Sequence, residues 1–177
     1  MSTLQNLPAP ADPKLPRSFL WDAGSALVRD LPVKDLAGCI RERRGPLWVD
    51  IDVSVRQQEA LLEKVFGFHP LAIEDVLSPH SRAKVEEYEG YLFVILRAVH
   101  MDDQTTDPYD LETVNLCFFI GSDYLVTAHR GASKHVDAVA DLTLRNPEVI
   151  NRGPSRLAHS IMDAAVDSFF PILDRVD

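Results

Sequence analysis

The chain has 177 residues, 46% of them hydrophobic, which suits one domain with a real core and excludes a disordered chain. Its formal net charge of −9 excludes a nucleic-acid binder, because phosphates demand a basic surface. Only two cysteines occur, and Cys117, inside the apolar run LCFFI, reads as a buried thiol of a reducing compartment.

Residues 1–16 carry Pro8, Pro10, Pro13 and Pro16 and read as a flexible tail, with no charged-then-apolar pattern of a signal peptide. Residues 17–21 and 25–29 are short strands around the turn signal Asp22-Ala23-Gly24. A helix is predicted over 33–43, up to the stop Gly45-Pro46, and LWVDI over 47–51 is a strand. Ser54 with Gln57 three residues on has capping-box spacing, and Gly67 closes that helix, whose core face is Leu61, Leu62, Val65 and Phe66.

Pro70 suits the first position of the next helix, and His69 before it reads as a cap or packing residue. Leu71, Ile73, Val76 and Leu77 are its candidate anchors, and Ser78-Pro79-His80 ends it. Glu74 and Asp75 are expected early in this helix, where the N-terminal dipole tolerates negative charge.

Residues 83–88 and 91–99 flank the tight turn Glu89-Gly90, and the second of these strands is apolar on both faces, as a central strand would be. A polar loop over 100–110 leads to a strand pair, 112–120 and 124–129, around Gly121-Ser122-Asp123. A helix over 133–144 stops at Asn146-Pro147. A long helix is predicted from Pro154 to the end, kinked at Pro171 and continuing in the native chain. Met162, Val166, Phe169, Leu173 and Val176 recur along it as a heptad-like seam. Asp163, Asp167 and Asp174 fall within ~40° of one another beside that seam.

The expected fold class is α/β: a mixed, largely antiparallel sheet with helices on both faces, an α/β/α sandwich over 17–153. Residues 154–177 are expected to form a long C-terminal helix after it. No apolar run reaches the ~18–20 residues of a membrane helix, so the chain as written has no membrane span.

The six histidines show no cluster of zinc-ligand spacing, and His159 with Asp163 reads as a surface pair. No nucleophile elbow, P-loop or dinucleotide glycine pattern appears, and no nucleophile stands out for a metal-dependent enzyme, so the chain reads as a non-enzyme. Carboxylates are what remain. Mg²⁺ prefers oxygen ligands and keeps much of its water, so Glu74, Asp75 and the aspartates of the last helix are candidate ligands of loose cation sites.

The stretch VFGFHPLAIEDVLSPHSRAKVEEYEGYLFVILRAVH resembles the N-terminal cytoplasmic domain of the CorA family of magnesium transport proteins. The resemblance rests on Gly67, His69-Pro70-Leu71, Glu74-Asp75, the loop His80-Ser81-Arg82-Ala83-Lys84 and Glu89-Gly90-Tyr91. LWVDI before it and SIMDAAVDSFFPILDRVD after it look like family segments in the expected order. The resemblance implies a regulatory, Mg²⁺-sensing domain beneath a homopentameric channel for magnesium and cobalt, on the cytoplasmic side of the cell inner membrane, with residues 154–177 the start of a long stalk helix. It implies weak regulatory Mg²⁺, with Co²⁺ as a surrogate, bound between neighbouring subunits by Glu74, Asp75 and Asp163, with Asp167 adjacent. The alternatives are the zinc-transporting branch of the same superfamily and a soluble interaction module without ion binding.

Overall fold

The computed structural model describes residues 12–22, 26–101 and 111–170. Among them, seven strands form one sheet in the order β2-β1-β3-β7-β6-β5-β4. In chain order the elements are β1 (Arg17–Asp22), β2 (Ala26–Arg29), α1 (Val33–Arg41), β3 (Leu47–Asp52), α2 (Arg56–Glu59), α3 (Leu61–Lys64) and α4 (Pro70–Leu77). After the hairpin of β4 (Lys84–Tyr88) and β5 (Tyr91–Met101) come β6 (Leu111–Gly121), β7 (Tyr124–His129), α5 (Lys134–Arg145), α6 (Glu148–Asn151) and α7 (Pro154–Asp167). Five neighbouring pairs are antiparallel. Only β3 and β7 run parallel, Leu47 opposite Tyr124 through Asp52 opposite His129.

Side-chain alternation divides the core into two layers. Leu47, Val49 and Ile51 of β3, Phe93 and Ile95 of β5 and Phe119 of β6 point to one face, where Leu36, Leu62, Phe68, Ala72 and Val76 of the α1–α4 region cover them. Trp48, Leu116, Phe118 and Leu125 point to the other face, against Val136 of α5, Ile150 of α6 and Leu157, Ile161 and Ala165 of α7. The expected α/β/α sandwich is what forms.

Several local expectations are corrected. Ser54 does not cap a helix: its N–H goes to Asp52 Oδ1 at 2.8 Å, and α2 begins at Arg56 with no side-chain cap. The nearby Asp52 carboxylate competes for that amide. Gly67 does close the next turn, at φ 62°, in the left-handed region glycine favours. Strand β5 is not central but second from the edge, so Leu92 stays exposed while Phe93 and Ile95 are buried. A short helix, α6, follows Pro147 where no element was expected.

The buried face of α7 is Leu157, Ala158, Ile161 and Ala165, so the seam expected at Met162, Val166 and Phe169 is not the face it lays on the sheet; Val166 is 47% exposed. Leu173, Val176, Pro171 and Asp174 lie outside the described residues, as do the 23–25 turn, most of the 100–110 loop and residues 1–11 of the expected tail. Residues 12–16 are held in place: Gln58 Nε2 donates to the carbonyls of Pro13 and Leu15 at 3.1 and 3.2 Å.

Candidate metal half-sites and a buried ionic network

Helix α4 is positioned at its start. Pro70 occupies its first turn, and the Leu71 N–H donates to His69 Nδ1 at 3.2 Å, so His69 is a cap. The His69 N–H in turn donates to the Tyr91 hydroxyl at 2.9 Å. Phe68 beneath stacks on Phe119 with ring centroids 3.8 Å apart. At the far end, Asn115 Nδ2 donates to the Ser78 carbonyl at 3.0 Å.

With only eight residues in α4, Glu74 and Asp75 are fifth and sixth rather than in the first turn, where α4 has no acidic residue. The N-terminal dipole therefore does not account for them, since it fades within one turn. Lysine does part of that task. Lys84 Nζ on β4 lies 2.6 Å from Asp75 Oδ2 and 2.9 Å from Glu86 Oε1. Ser81 Oγ also donates to the Asp75 carbonyl at 2.8 Å. Glu74 is exposed and makes no ion pair among the described residues. A shallow groove runs along this acidic side, lined by Leu71, Glu74, Asp75, Lys84, Glu86 and Tyr88. Leu71, expected as an anchor, is 59% exposed on the same side, and Ala72 and Val76 do the anchoring. Helical periodicity explains this: residues 71, 74 and 75 share one face.

Asp163 and Asp167 are exposed on α7 and make no ion pair among the described residues. Because α4 packs on one layer of the core and α7 on the other, one chain does not bring these aspartates to Glu74 and Asp75. Among the described residues, no three His, Cys, Asp or Glu side chains converge as metal ligands. The donors are nonetheless carboxylate oxygens, as a hard cation requires.

The strongest electrostatic feature lies elsewhere, at the carboxyl ends of the parallel pair β3–β7. Asp50 is 5% exposed on β3. Arg17 of β1 donates to Asp50 Oδ2 through Nη2 at 2.6 Å and Nε at 3.1 Å, and through Nη1 to Asp137 of α5 at 2.7 Å. Thr127 Oγ1 donates to Asp50 Oδ1 at 2.6 Å and accepts from Trp48 Nε1 at 3.0 Å. His129 Nε2 is 3.0 Å from the same Oδ1, and its Nδ1 is 2.7 Å from the Gly131 carbonyl. With both ring nitrogens facing oxygens, the imidazolium form satisfies both.

Burial alone would raise the Asp50 pKa, but His129, Arg17 and the Thr127 hydroxyl outweigh it and hold the carboxyl well below the carboxylate range. Burial alone would lower that of His129, but Asp50 and the Gly131 carbonyl outweigh it and raise the value. The two groups affect stability in opposite pH directions. The Asp50 contribution is complete above its unfolded value of about 3.9 and is lost as pH falls through its depressed folded value. The His129 contribution is complete below about 6.5 and is lost as pH rises through its raised folded value. Urea unfolding across pH is thus expected to show greatest stability between those limits, with an alkaline decline that His129→Gln abolishes. An alkaline slope that persists in that variant would remove His129 from the explanation.

Sequence reading did not find this network. Its signal is a charge interrupting apolar strands, Asp50 in LWVDID and His129 closing YLVTAH, but the partners lie 33 and 79 residues away. Cys39 and Cys117 are both free and buried, and burial pushes the Cys117 thiol up to about 12, as the apolar setting of that thiol implied.

The layered sheet is the fold of the soluble domain of CorA from Methanocaldococcus jannaschii, which superposes with a TM-score of 0.69 over 93% of this chain and 60% of that one, at 19% identity. Residues 44–177 match the family described as CorA-like Mg2+ transporter protein, and the chain belongs to that family. YfjQ of Bacillus subtilis is 31% identical over 130 residues, 73% of this chain and 39% of that protein. The cobalt/magnesium transport protein CorA of Thermotoga maritima is 26% identical over 140 residues, 77% of this chain and 39% of that protein. The chain thus spans about two-fifths of the length of these relatives, 39% of each. No described helix is long and apolar enough to cross a membrane.

Proposed function

We propose that this chain is the Mg²⁺-sensing regulatory domain of a CorA-type magnesium and cobalt transporter, cytoplasmic in an inner-membrane homopentamer. The observation that carries the reading is the placement of carboxylates on opposite layers, the exposed Glu74 and half-buried Asp75 on α4 and the exposed Asp163 and Asp167 on α7. Each is half of a site that only a second copy completes.

Bound Mg²⁺, or Co²⁺ as its surrogate, would neutralise carboxylates that otherwise repel across the subunit boundary. Glu74 and the two α7 aspartates present uncommitted oxygens, whereas Asp75 is held by Lys84. Lys84 therefore competes for Asp75 and keeps affinity low, which suits a sensor of an abundant ion. Carboxylates favour Mg²⁺ over the zinc-transport reading, since zinc selects nitrogen and sulfur ligands, and His69 beside α4 is committed to the Leu71 N–H.

The test is inhibition of cation uptake by cytoplasmic Mg²⁺ in the whole transporter. Glu74→Gln combined with Asp75→Asn is expected to raise the half-inhibiting concentration at least tenfold. An unmoved curve would sink the sensing role. Lys84→Met, which frees Asp75, is expected to lower it by up to about fivefold, the range of one exposed ion pair.

A further inference from the structure

We propose that the groove between α5, α6 and α7 binds a small soluble phosphate compound, an activity independent of the acidic half-sites. The groove has a volume of about 590 Å³ and is lined by Leu142, Val149, Arg152, Arg156, His159 and Ser160. That volume falls in the ~300–1,000 Å³ range of small-molecule sites.

Three observations converge on an anion. No carboxylate lines the groove, in a chain whose net charge is −9. Neither Arg152 nor Arg156 makes an ion pair or side-chain hydrogen bond among the described residues, although the other lining groups include a second nitrogen donor in His159. The two uncommitted guanidinium groups also border one concavity.

The backbone places them there. The α6 turn ends at Asn151, and Gly153 at φ 94° reverses the chain into Pro154 at the start of α7. Arg152 thus stands just before the helix, Arg156 in its first turn and His159 one turn further, where Arg156, His159 and Ser160 have the spacing of one helix face. The positive end of α7 reinforces the guanidinium groups without being needed as a site by itself. Arginine forks suit the paired oxygens of a phosphoryl group. Leu142 and the buried Val149 supply an apolar wall for the rest of the ligand.

The concavity and the net charge favour a soluble phosphate compound over an anionic membrane surface, which would be repelled by the acidic remainder of the chain. The probes are ATP without metal, inorganic phosphate and vesicles containing phosphatidylglycerol, at constant ionic strength set with chloride. Backbone amide NMR is expected to show saturable shifts at Leu142, Arg156 and His159 with ATP and weaker ones with phosphate. Arg152→Ala with Arg156→Ala should weaken ATP binding at least tenfold, and the double lysine variant should retain part of it. Both arginines are exposed, so the variants keep the fold, which their amide spectra check directly. Shifts that chloride alone reproduces, ATP affinity indifferent to both arginines, or binding to vesicles but not to ATP would each overturn the proposal.

Discussion

Replacing Asp50 by alanine is expected to destabilise the fold by about 3–5 kcal/mol, the cost of breaking a buried pair from one side. In a chain of this length that lowers the melting temperature by roughly 10 °C. The reason is what stays behind. Arg17 keeps only Asp137, which is partly exposed, and His129 is left buried with one oxygen partner instead of two. Thr127 Oγ1 and Trp48 Nε1 lose the end of their hydrogen-bond chain. Equilibrium urea unfolding measures the effect. A loss under ~1 kcal/mol would mean that water replaces the carboxylate and that the network is not a stabilising unit. Combining Asp50→Ala with His129→Gln should cost clearly less than the sum of the two single losses, because the second substitution removes a charge that the first stranded.

Phe68→Ala is expected to cost about 3–5 kcal/mol as well, through the cavity it opens. Its ring is 3% exposed, lies 3.8 Å from the Phe119 ring, and is flanked by Phe66 and Tyr91 with centroids at 5.4 and 4.9 Å. Unlike Asp50, it also underlies a candidate site. His69, which caps α4 and rests its N–H on Tyr91, is the next residue in the chain. Hydrogen exchange should therefore show the amides of α4 losing protection more than those of α7, which belongs to the other core layer. Equal loss in both helices would show that the two layers unfold as one unit.

Much of the fold was legible in the residues because it depends on local signals. Gly67, Pro70 and Ser78-Pro79 delimit the acidic helix through φ restrictions that hold wherever the chain goes. Glu89-Gly90 marks the hairpin, with Gly90 at φ 85°. The apolar runs LWVDI and LCFFI mark buried strands, but such a run cannot say which strand is central. The reading of β5 as central failed for that reason: its apolar outer face includes Leu92, near the sheet edge. Similarly, the seam of α7 was drawn from spacing alone, while the sheet selected the row Leu157, Ile161 and Ala165.

The sequence by itself determined the order of the strands and longer helices, the two-sided sandwich and the family, and offered His69 as a cap or packing residue, since each rests on neighbours within a few residues or on a continuous motif. It also offered Glu74, Asp75, Asp163 and Asp167 as candidate ligands of a hard cation. Only the tertiary structure decided that α4 and α7 lie on opposite layers, so that these carboxylates stay apart within one chain. Only it joined Arg17, Asp50, Thr127 and His129, and gathered Arg152, Arg156 and His159 around a groove with Leu142. The physical reason is range: caps and turns are enforced by backbone sterics between adjacent residues, whereas charge pairing depends on which strands become neighbours across the sheet.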